Sequence, residues 1–336
     1  MFLLISLWSA ATCRRFRVPR SQAAIKSADP DLSGPHSKTL LLILVLAGLQ
    51  GCTSHQNSIT PERTVRRQIT DDSGKAVSLP VRIDRVVSLA PNLTEIVFAI
   101  GGGDHLVGRT SYCDFPAEAK SVTEVGDTLH PSLERIIALK PQVVLVSTAS
   151  QLEGFTRQLQ EHDIAVFVTD PHDLDGVFRS IDQIGDILGT GEKARDVTEA
   201  LKLRVMVLAQ KLHIAPPARV FYQLSAEPLF TAGKDSFVTD LIQFAGGISV
   251  TADVPGAWPK YSAEAALATK PEAIILPTGG SMGDSNTDVA EALKRSPAVL
   301  HGRVYKINGD LLVRPGPRAI DGLEEMARAL HPERFK

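Results

Sequence analysis

Between Asp173 and Leu212 the chain is patterned as helix almost without a break, whereas on either side short β-branched runs alternate with helical ones. Strands alternating with helices require mostly parallel sheets covered by helices. A helical stretch in the middle divides that alternation into two separate layers. On the N-terminal side, strands read as Arg85–Ala90, Leu106–Thr110, Val143–Thr148 and Ala165–Asp170, with helices at Leu133–Lys140 and Leu152–His162. On the C-terminal side, strands read as Arg219–Leu224, Ala273–Thr278 and Val304–Asn308, with helices at Ser236–Ala245, Ala263–Thr269 and Asp321–Leu330. After the first strand, Asn92 offers an N-cap with Glu95 as its capping-box partner, and Gly101 offers a stop. In the middle, Ala194, Val197, Leu201, Val205, Leu208 and Leu212 fall at the spacing of a one-faced helix over Gly191–Leu212, which Pro216-Pro217 ends. About 20 helical residues span roughly 30 Å. The expected fold is therefore α/β: two Rossmann-like lobes with mostly parallel sheets, 66–171 and 214–336, joined by a single long backbone helix within a linking segment, 172–213.

A repeat supports the two-lobe reading. Ser132-Leu133-Glu134-Arg135-Ile136-Ile137-Ala138-Leu139-Lys140-Pro141 and Ser262-Ala263-Glu264-Ala265-Ala266-Leu267-Ala268-Thr269-Lys270-Pro271 share Ser, Glu, Lys and Pro in register, and each leads into an apolar strand. In each, Ser caps a short helix and Glu occupies its first turn, where the helix dipole favours an anion. The apolar faces fall at Leu133, Ile136 and Ile137, and at Ala263, Ala266 and Leu267, so Glu134 and Glu264 point outward. Two readings follow: a pair of helix stabilisers in a duplicated fold, or one carboxylate per lobe offered to a two-fold symmetric basic partner.

Near the N-terminus, Lys38 precedes an apolar run from Leu40 to Leu49 that ends in Leu49-Gln50-Gly51-Cys52. About ten apolar residues are too few for a span of about 20 and suit a signal-peptide core. The ending resembles a bacterial lipobox, in which the cysteine receives lipid and becomes the first mature residue. Residues 1–51 are read as a signal region with an over-extended start, Cys52 as the lipidation site, and 52–65 as a flexible tether. A net charge of −2 gives no long-range field for nucleic acid. The three cysteines, Cys13, Cys52 and Cys113, form no CxxC pair, so neither a disulfide framework nor a zinc site is indicated.

No catalytic constellation emerges. None of the nine histidines forms an HExxH or HxxxH spacing, and no metal site is expected. Gly101-Gly102-Gly103 follows a helix rather than opening one, so it reads as a loop and not a phosphate cradle. Gly279-Gly280-Ser281-Met282-Gly283 lacks the setting of a nucleophile elbow. No Walker motif is present, which assigns any ATP hydrolysis to another chain. Cys113 reads as a partly buried thiol. His130, near Asp127 in a loop, is a candidate ligand contact.

The segments Arg85–Glu95, Ser111–Pro116 and Leu133–Ile136 with Lys140-Pro141 resemble the periplasmic cobalamin-binding proteins of ABC importers. In the second half, Pro228–Ser236, Trp258-Pro259 and Asp310–Arg314 do so too. These belong to the helical-backbone receptors for cobalamin, ferric siderophores and haem. The motifs are specific together and weak singly, and they run from about residue 80 to the C-terminus. The resemblance implies a cleft between the lobes that binds a corrinoid (a cobalt ligand) or an iron chelate, with Tyr112, Phe230, Trp258, Asp310 and Arg314 facing it. Tyr112 and Asp310 each follow a strand end, where open α/β sheets bind ligands, and aromatic faces suit a flat macrocycle. Where this chain has Thr128 and Ser147, the cobalamin receptors compared carry tryptophans, so these two positions line the site with less stacking area. The resemblance also implies that Glu134 and Glu264 dock onto arginines of an ABC permease dimer served by ATPase subunits. The expected protein is a monomeric, non-enzymatic receptor, periplasmic or on the outer face of the cytoplasmic membrane, held there only by lipid. A haem or ferric-siderophore receptor remains open, with Tyr112 as a potential haem-iron ligand. So does a sensor or enzyme reusing the fold.

Overall fold

The computed structural model describes residues 65–147, 153–280 and 288–336. The signal region, Cys52 and the tether through residue 64 lie outside them, as do Thr148, Leu152, Ser281, Met282 and Gly283. The described chain opens with an antiparallel hairpin, β1 (Arg66–Thr70) and β2 (Ala76–Pro80), that apolar patterning does not announce. Residues of β1 alternate between exposed and half-buried and include two arginines. Asp71 closes the turn, its Oδ1 accepting from Ser73 N, Ser73 Oγ and Lys75 N.

The first lobe follows: β3 (Val86–Ser88), α1 (Pro91–Ala99), β4 (Leu106–Arg109), α2 (Leu133–Ala138), β5 (Val143–Ser147), α3 (Glu153–Glu161) and β6 (Ala165–Thr169). Its sheet runs β4-β3-β5-β6, all parallel. Strands β3 and β5 are buried on both faces, which explains their unbroken Val/Leu runs. The chain passes from β3 to β4 on one side and then to β5 on the other. The crevice of such a sheet therefore opens beyond the C-terminal ends of β3 and its neighbours.

Helix α1 corrects one expectation. It starts at Pro91, whose missing N–H costs nothing at the first helical position, and Ala90 is its N-cap without a side-chain bond. Asn92 and Glu95 are thus both inside the helix, and Glu95 caps nothing. Gly101 (φ 74°) supplies the left-handed residue that ends it.

Helices α4 (Leu174–Leu188) and α5 (Gly191–Leu212) then form a tight pair. Gly189, at φ 73°, turns the chain between them. Gly185 faces Ala194 so closely that any methyl there would strike its Cβ, and Thr198 Oγ1 donates to Asp182 Oδ1 (2.8 Å). The 22 residues of α5 extend about 33 Å. Ala194, Leu201, Leu208 and Leu212 are buried, with Val197 and Val205 packed beside them.

The second lobe contains β7 (Ala218–Ala226), β8 (Leu229–Thr231), α6 (Phe237–Phe244), β9 (Gly247–Ser249), α7 (Ala263–Ala268), β10 (Ala273–Thr278), α8 (Pro297–Leu300), β11 (Val304–Asn308), α9 (Gly309–Val313) and α10 (Ala319–Leu330). Strands β11, β10, β7 and β9 are parallel, and β8 is antiparallel to β7. Arg204 of α5 pairs with Asp321 (2.7 Å) and Glu324 (2.9 Å) of α10. One buried apolar cluster runs from Leu93 and Ile96 through Ile181 and Leu201 to Val220 and Leu323, so the lobes share a core.

The two repeat segments fold alike. Ser132 and Ser262 cap α2 and α7 by accepting from the N–H of Arg135 and Ala265. Lys140 (φ 47°) and Lys270 (φ 49°) both turn left-handed before their prolines. Arg85 donates to the Leu139 carbonyl (2.9 Å) and Arg219 to the Thr269 carbonyl (2.7 Å), so an arginine satisfies the C-terminal end of each helix.

Candidate functional site

The strands of the first sheet end at one hollow. Pro91 and Asn92 follow β3, Tyr112 follows β4, Ser147 ends β5, and Asp170 and His172 follow β6; all line it. From the second lobe come Asp235 and Ser236 after β8, then Trp258 and Arg314. The resulting cleft has a volume of about 780 Å³, within the roughly 300–1,000 Å³ of small-molecule sites. A hollow of about 870 Å³ against the hairpin and α3 lies on the first lobe alone and presents no aromatic ring. The interlobe cleft is the candidate site.

Two aromatic side chains face it from opposite lobes: Tyr112 is 50% exposed and Trp258 37%. Tyr222, wholly buried, supports Trp258 from below, with ring centroids 6.1 Å apart. The Tyr222 hydroxyl has no hydrogen-bond partner among the described residues, and burial pushes its pKa well above the ordinary tyrosine value. Removing a buried hydroxyl that bonds to nothing is neutral or favourable. Tyr222→Phe is expected to match or exceed the parent stability, by up to about 1 kcal/mol. A urea midpoint that falls by more than that amount would show that the hydroxyl is bonded after all.

Arg314 is the centre of an ion cluster at the cleft floor. It is 5% exposed. Its Nη1 donates to Glu95 Oε1 (3.0 Å) and Asp114 Oδ1 (2.8 Å). Its Nη2 donates to the Tyr112 carbonyl (3.4 Å) and lies 3.1 Å from Asp310 Oδ2. Arg318 holds the other side of Glu95 with bonds of 2.9 and 2.6 Å, and stacks its guanidinium 3.9 Å from the centroid of Phe115. Glu95, Asp114 and Phe115 belong to the first lobe, and both arginines to the second. Burial pushes the Asp114 carboxyl up, but the hydrogen bond and charge of Arg314 outweigh it and lower its pKa. Burial likewise opposes the charge of Arg314, and the Asp114 and Glu95 bonds prevail, raising its pKa. Arg314 Nε is buried without a partner among the described residues.

A second strap crosses the cleft. His172 Nδ1 donates to the Asp235 carbonyl (3.0 Å), and its Nε2 lies 3.1 Å from Asp170 Oδ2. The Asp235 carbonyl is the main cause of the raised His172 pKa; burial opposes it, and Asp170 adds to it. Asn92 Nδ2 donates across the lobes to the Pro315 carbonyl (3.3 Å).

Of the residues singled out from sequence, Tyr112, Thr128, Ser147, Trp258 and Arg314 line this cleft. Thr128 Oγ1 sits 3.4 Å from Thr110 Oγ1. Asp310 lies beneath the lining, against Arg314. Phe230, in β8, is half-buried and bridges to Lys260 rather than lining the cleft. His130 is exposed on a turn held by Asp127, whose Oδ1 accepts from the N–H of Leu129 and His130, and it is not in the lining. Glu134 and Glu264 are both exposed. Its own backbone N–H, then the Ser262 hydroxyl, holds Glu264 below the usual carboxylate pKa. Cys113 is fully buried, its Sγ 3.2 Å from Thr110 Oγ1. Among the described residues no group of His, Cys, Asp or Glu converges as a metal site.

Glu95, Arg318, Asp114, Asp170, His172 and Asp235 were missed from sequence. One signal was available: Glu95 is the single charged residue in the run Leu93–Ile100, apolar but for Thr94, and a buried acid requires a cationic partner.

Comparison with known proteins agrees with this architecture. Residues 86–311 match the periplasmic binding protein family. An uncharacterized ABC transporter substrate-binding lipoprotein of Bacillus subtilis is 31% identical over 90% of this chain and 98% of its own length. A vitamin B12-binding protein of Photorhabdus laumondii is 29% identical over 74% and 88%. The crystal structure of the periplasmic vitamin B12-binding protein of Vibrio cholerae superposes with a TM-score of 0.65 at 25% identity, covering 76% of this chain and all of that one. No helix among the described residues is long and apolar enough to cross a membrane. Two α/β lobes closing on one cleft, together with these matches, make the chain a member of the periplasmic binding protein family, the substrate-binding component of an ABC transporter.

Proposed function

We propose that this receptor captures cobalamin or a related corrinoid in the interlobe cleft and delivers it to an ABC permease dimer. The observation that carries the reading is the pair of half-exposed aromatic rings, Tyr112 and Trp258, one from each lobe, facing a single cavity. A flat macrocycle fits between such rings, and amide arms find donors at its edge. Thr128 and Ser147 give room where bulkier rings would stack, and Phe115, 43% exposed, offers a further apolar surface close by. Asp310 orients Arg314. The vitamin B12-binding proteins among its relatives support the same ligand class.

Delivery uses Glu134 and Glu264, one per lobe, against basic residues of the permease. The protein works as a monomer, tethered by lipid on Cys52, and ATP is hydrolysed by separate subunits.

Calorimetric titration of the purified full-length protein with cyanocobalamin tests the reading. Tight binding is expected for the parent. Trp258→Ala should weaken it by about tenfold to a hundredfold, because truncating an aromatic anchor costs roughly 2 kcal/mol. Absence of corrinoid binding, alongside tight binding of haem or a ferric chelate, would keep the transport role and overturn the ligand.

A further inference from the structure

The charge of the cleft constrains which ligands it admits. In the floor cluster two guanidiniums, Arg314 and Arg318, face three carboxylates, Glu95, Asp114 and Asp310. The positive charge of Arg314 is thus already consumed by protein. Two further carboxylates, Asp170 and Asp235, line the cleft, and His172 between them can restore at most one positive charge. Among the described lining residues, Arg314 and His172 are the only cationic groups. Lining and floor together set Arg314, Arg318 and His172 against Glu95, Asp114, Asp310, Asp170 and Asp235, so the site is net negative whether or not His172 is protonated. The segments 148–152 (Thr-Ala-Ser-Gln-Leu) and 281–287 (Ser-Met-Gly-Asp-Ser-Asn-Thr) contain no lysine or arginine, so neither can bring a compensating cation.

The same cluster limits what Arg314 can offer a ligand. Arg314, nineteen-twentieths buried, keeps Nε without a partner among the described residues. It is a single donor on a side chain whose charge is already balanced. Nε is itself shielded, so Arg314 presents no free cation to the cleft. A carboxylate there would meet the negative surplus of the surrounding groups, with its charge desolvated and unpaired.

We infer that the cleft selects by charge, taking a neutral or cationic ligand and rejecting polyanionic chelates. The inference rests on the corrinoid reading and sharpens it. The acetamide and propionamide arms of a corrin are uncharged, whereas haem carries propionates and ferric tricatecholates are anions. Among corrinoids, the aquo-cyano form of cobinamide lacks the nucleotide phosphate and is a cation, so the site should favour it over neutral cyanocobalamin at low salt.

The test is calorimetry on the purified full-length protein with five probes: cyanocobalamin, aquocyanocobinamide, haemin, a cationic ferric trihydroxamate and a ferric tricatecholate. Haemin and the tricatecholate are expected to bind at least about a hundredfold more weakly than either corrinoid, the range that like-charge juxtaposition produces. Added salt should weaken cobinamide binding and leave cyanocobalamin nearly unchanged. The pair Asp114→Asn and Asp235→Asn keeps an acceptor oxygen at each position. It should reduce the preference for cobinamide over cyanocobalamin by about tenfold. Haemin binding as tightly as cyanocobalamin overturns the inference, and so does a cobinamide preference indifferent to both salt and the asparagines. The salt series on the parent protein decides the matter if the variants fail to fold. Binding of the cationic trihydroxamate with neither corrinoid nor tricatecholate bound would uphold charge selection and sink the corrinoid reading. Corrinoid binding that ignores charge would do the reverse.

Discussion

Substituting arginine for both Glu134 and Glu264 is expected to abolish uptake while leaving ligand affinity within about twofold of the parent, because substitutions that share no partner with the ligand site act independently of it. Both carboxylates are exposed and neither lines the cleft. Their surroundings argue for a presented pair. Each sits in the first turn of a helix capped by serine. Each helix is anchored at its other end by an arginine bonded to a terminal carbonyl. Each is followed by a left-handed lysine and a proline. A helix stabilised at both ends holds its carboxylate in a defined place. Charge pairs at protein interfaces couple by about 1.5–7 kcal/mol. Reversing two such charges against a basic partner converts attraction into repulsion at both contacts, enough to prevent docking at ordinary concentrations. Uptake of labelled ligand into cells and calorimetry on the isolated receptor are the paired measurements. Normal uptake by the double variant would mean that the glutamates only stabilise their helices.

Glu95→Ala is expected to destabilise the protein by about 3–5 kcal/mol, the cost of stranding buried charge when one partner is removed. Glu95 is 3% exposed and binds Arg314 and Arg318 together. Among the described residues, its loss leaves Arg318 with only the Phe115 ring and leaves Arg314 dependent on Asp114 and Asp310. Glu95→Gln keeps an acceptor oxygen and should cost less. Because the contact joins first-lobe α1 to the second lobe, the alanine variant should also increase amide exchange in Pro91–Ala99 and around Arg314. Urea denaturation within about 1 kcal/mol of the parent would show that the cluster contributes no net stability.

The sequence is most legible where structure is local. Strands Ala273–Thr278 and Val304–Asn308 and the helix Gly191–Leu212 are bounded as patterning predicts, since apolar runs, a terminal glycine and a proline pair lie within a few residues of what they delimit. The repeat is legible for the same reason. What fails is long-range or faint. Glu95 matches a capping box by spacing, yet its partners at Arg314 and Arg318 lie at the far end of the chain, and no local pattern can reveal them. Strands β1 and β2 carry charged and half-exposed residues, so they have no apolar signature. Five of the eight candidate ligand residues converge on the cleft. The strap of Asp170, His172 and Asp235 comes from loops, where position is set by the strands beneath and not by the loop sequence.

The core that runs unbroken from one lobe through α4 and α5 to the other has a consequence for traffic at the membrane. Lobes that share their interior are expected to move little about a hinge, so an empty receptor and a loaded one should show a partner nearly the same face. The partner cannot then turn away the empty form before it lands. Vacant receptors compete with loaded ones for the same landing sites, and uptake should pass through a maximum as receptor is raised at fixed ligand. A cell using such a receptor gains by matching receptor numbers to ligand supply, and surplus receptor slows import.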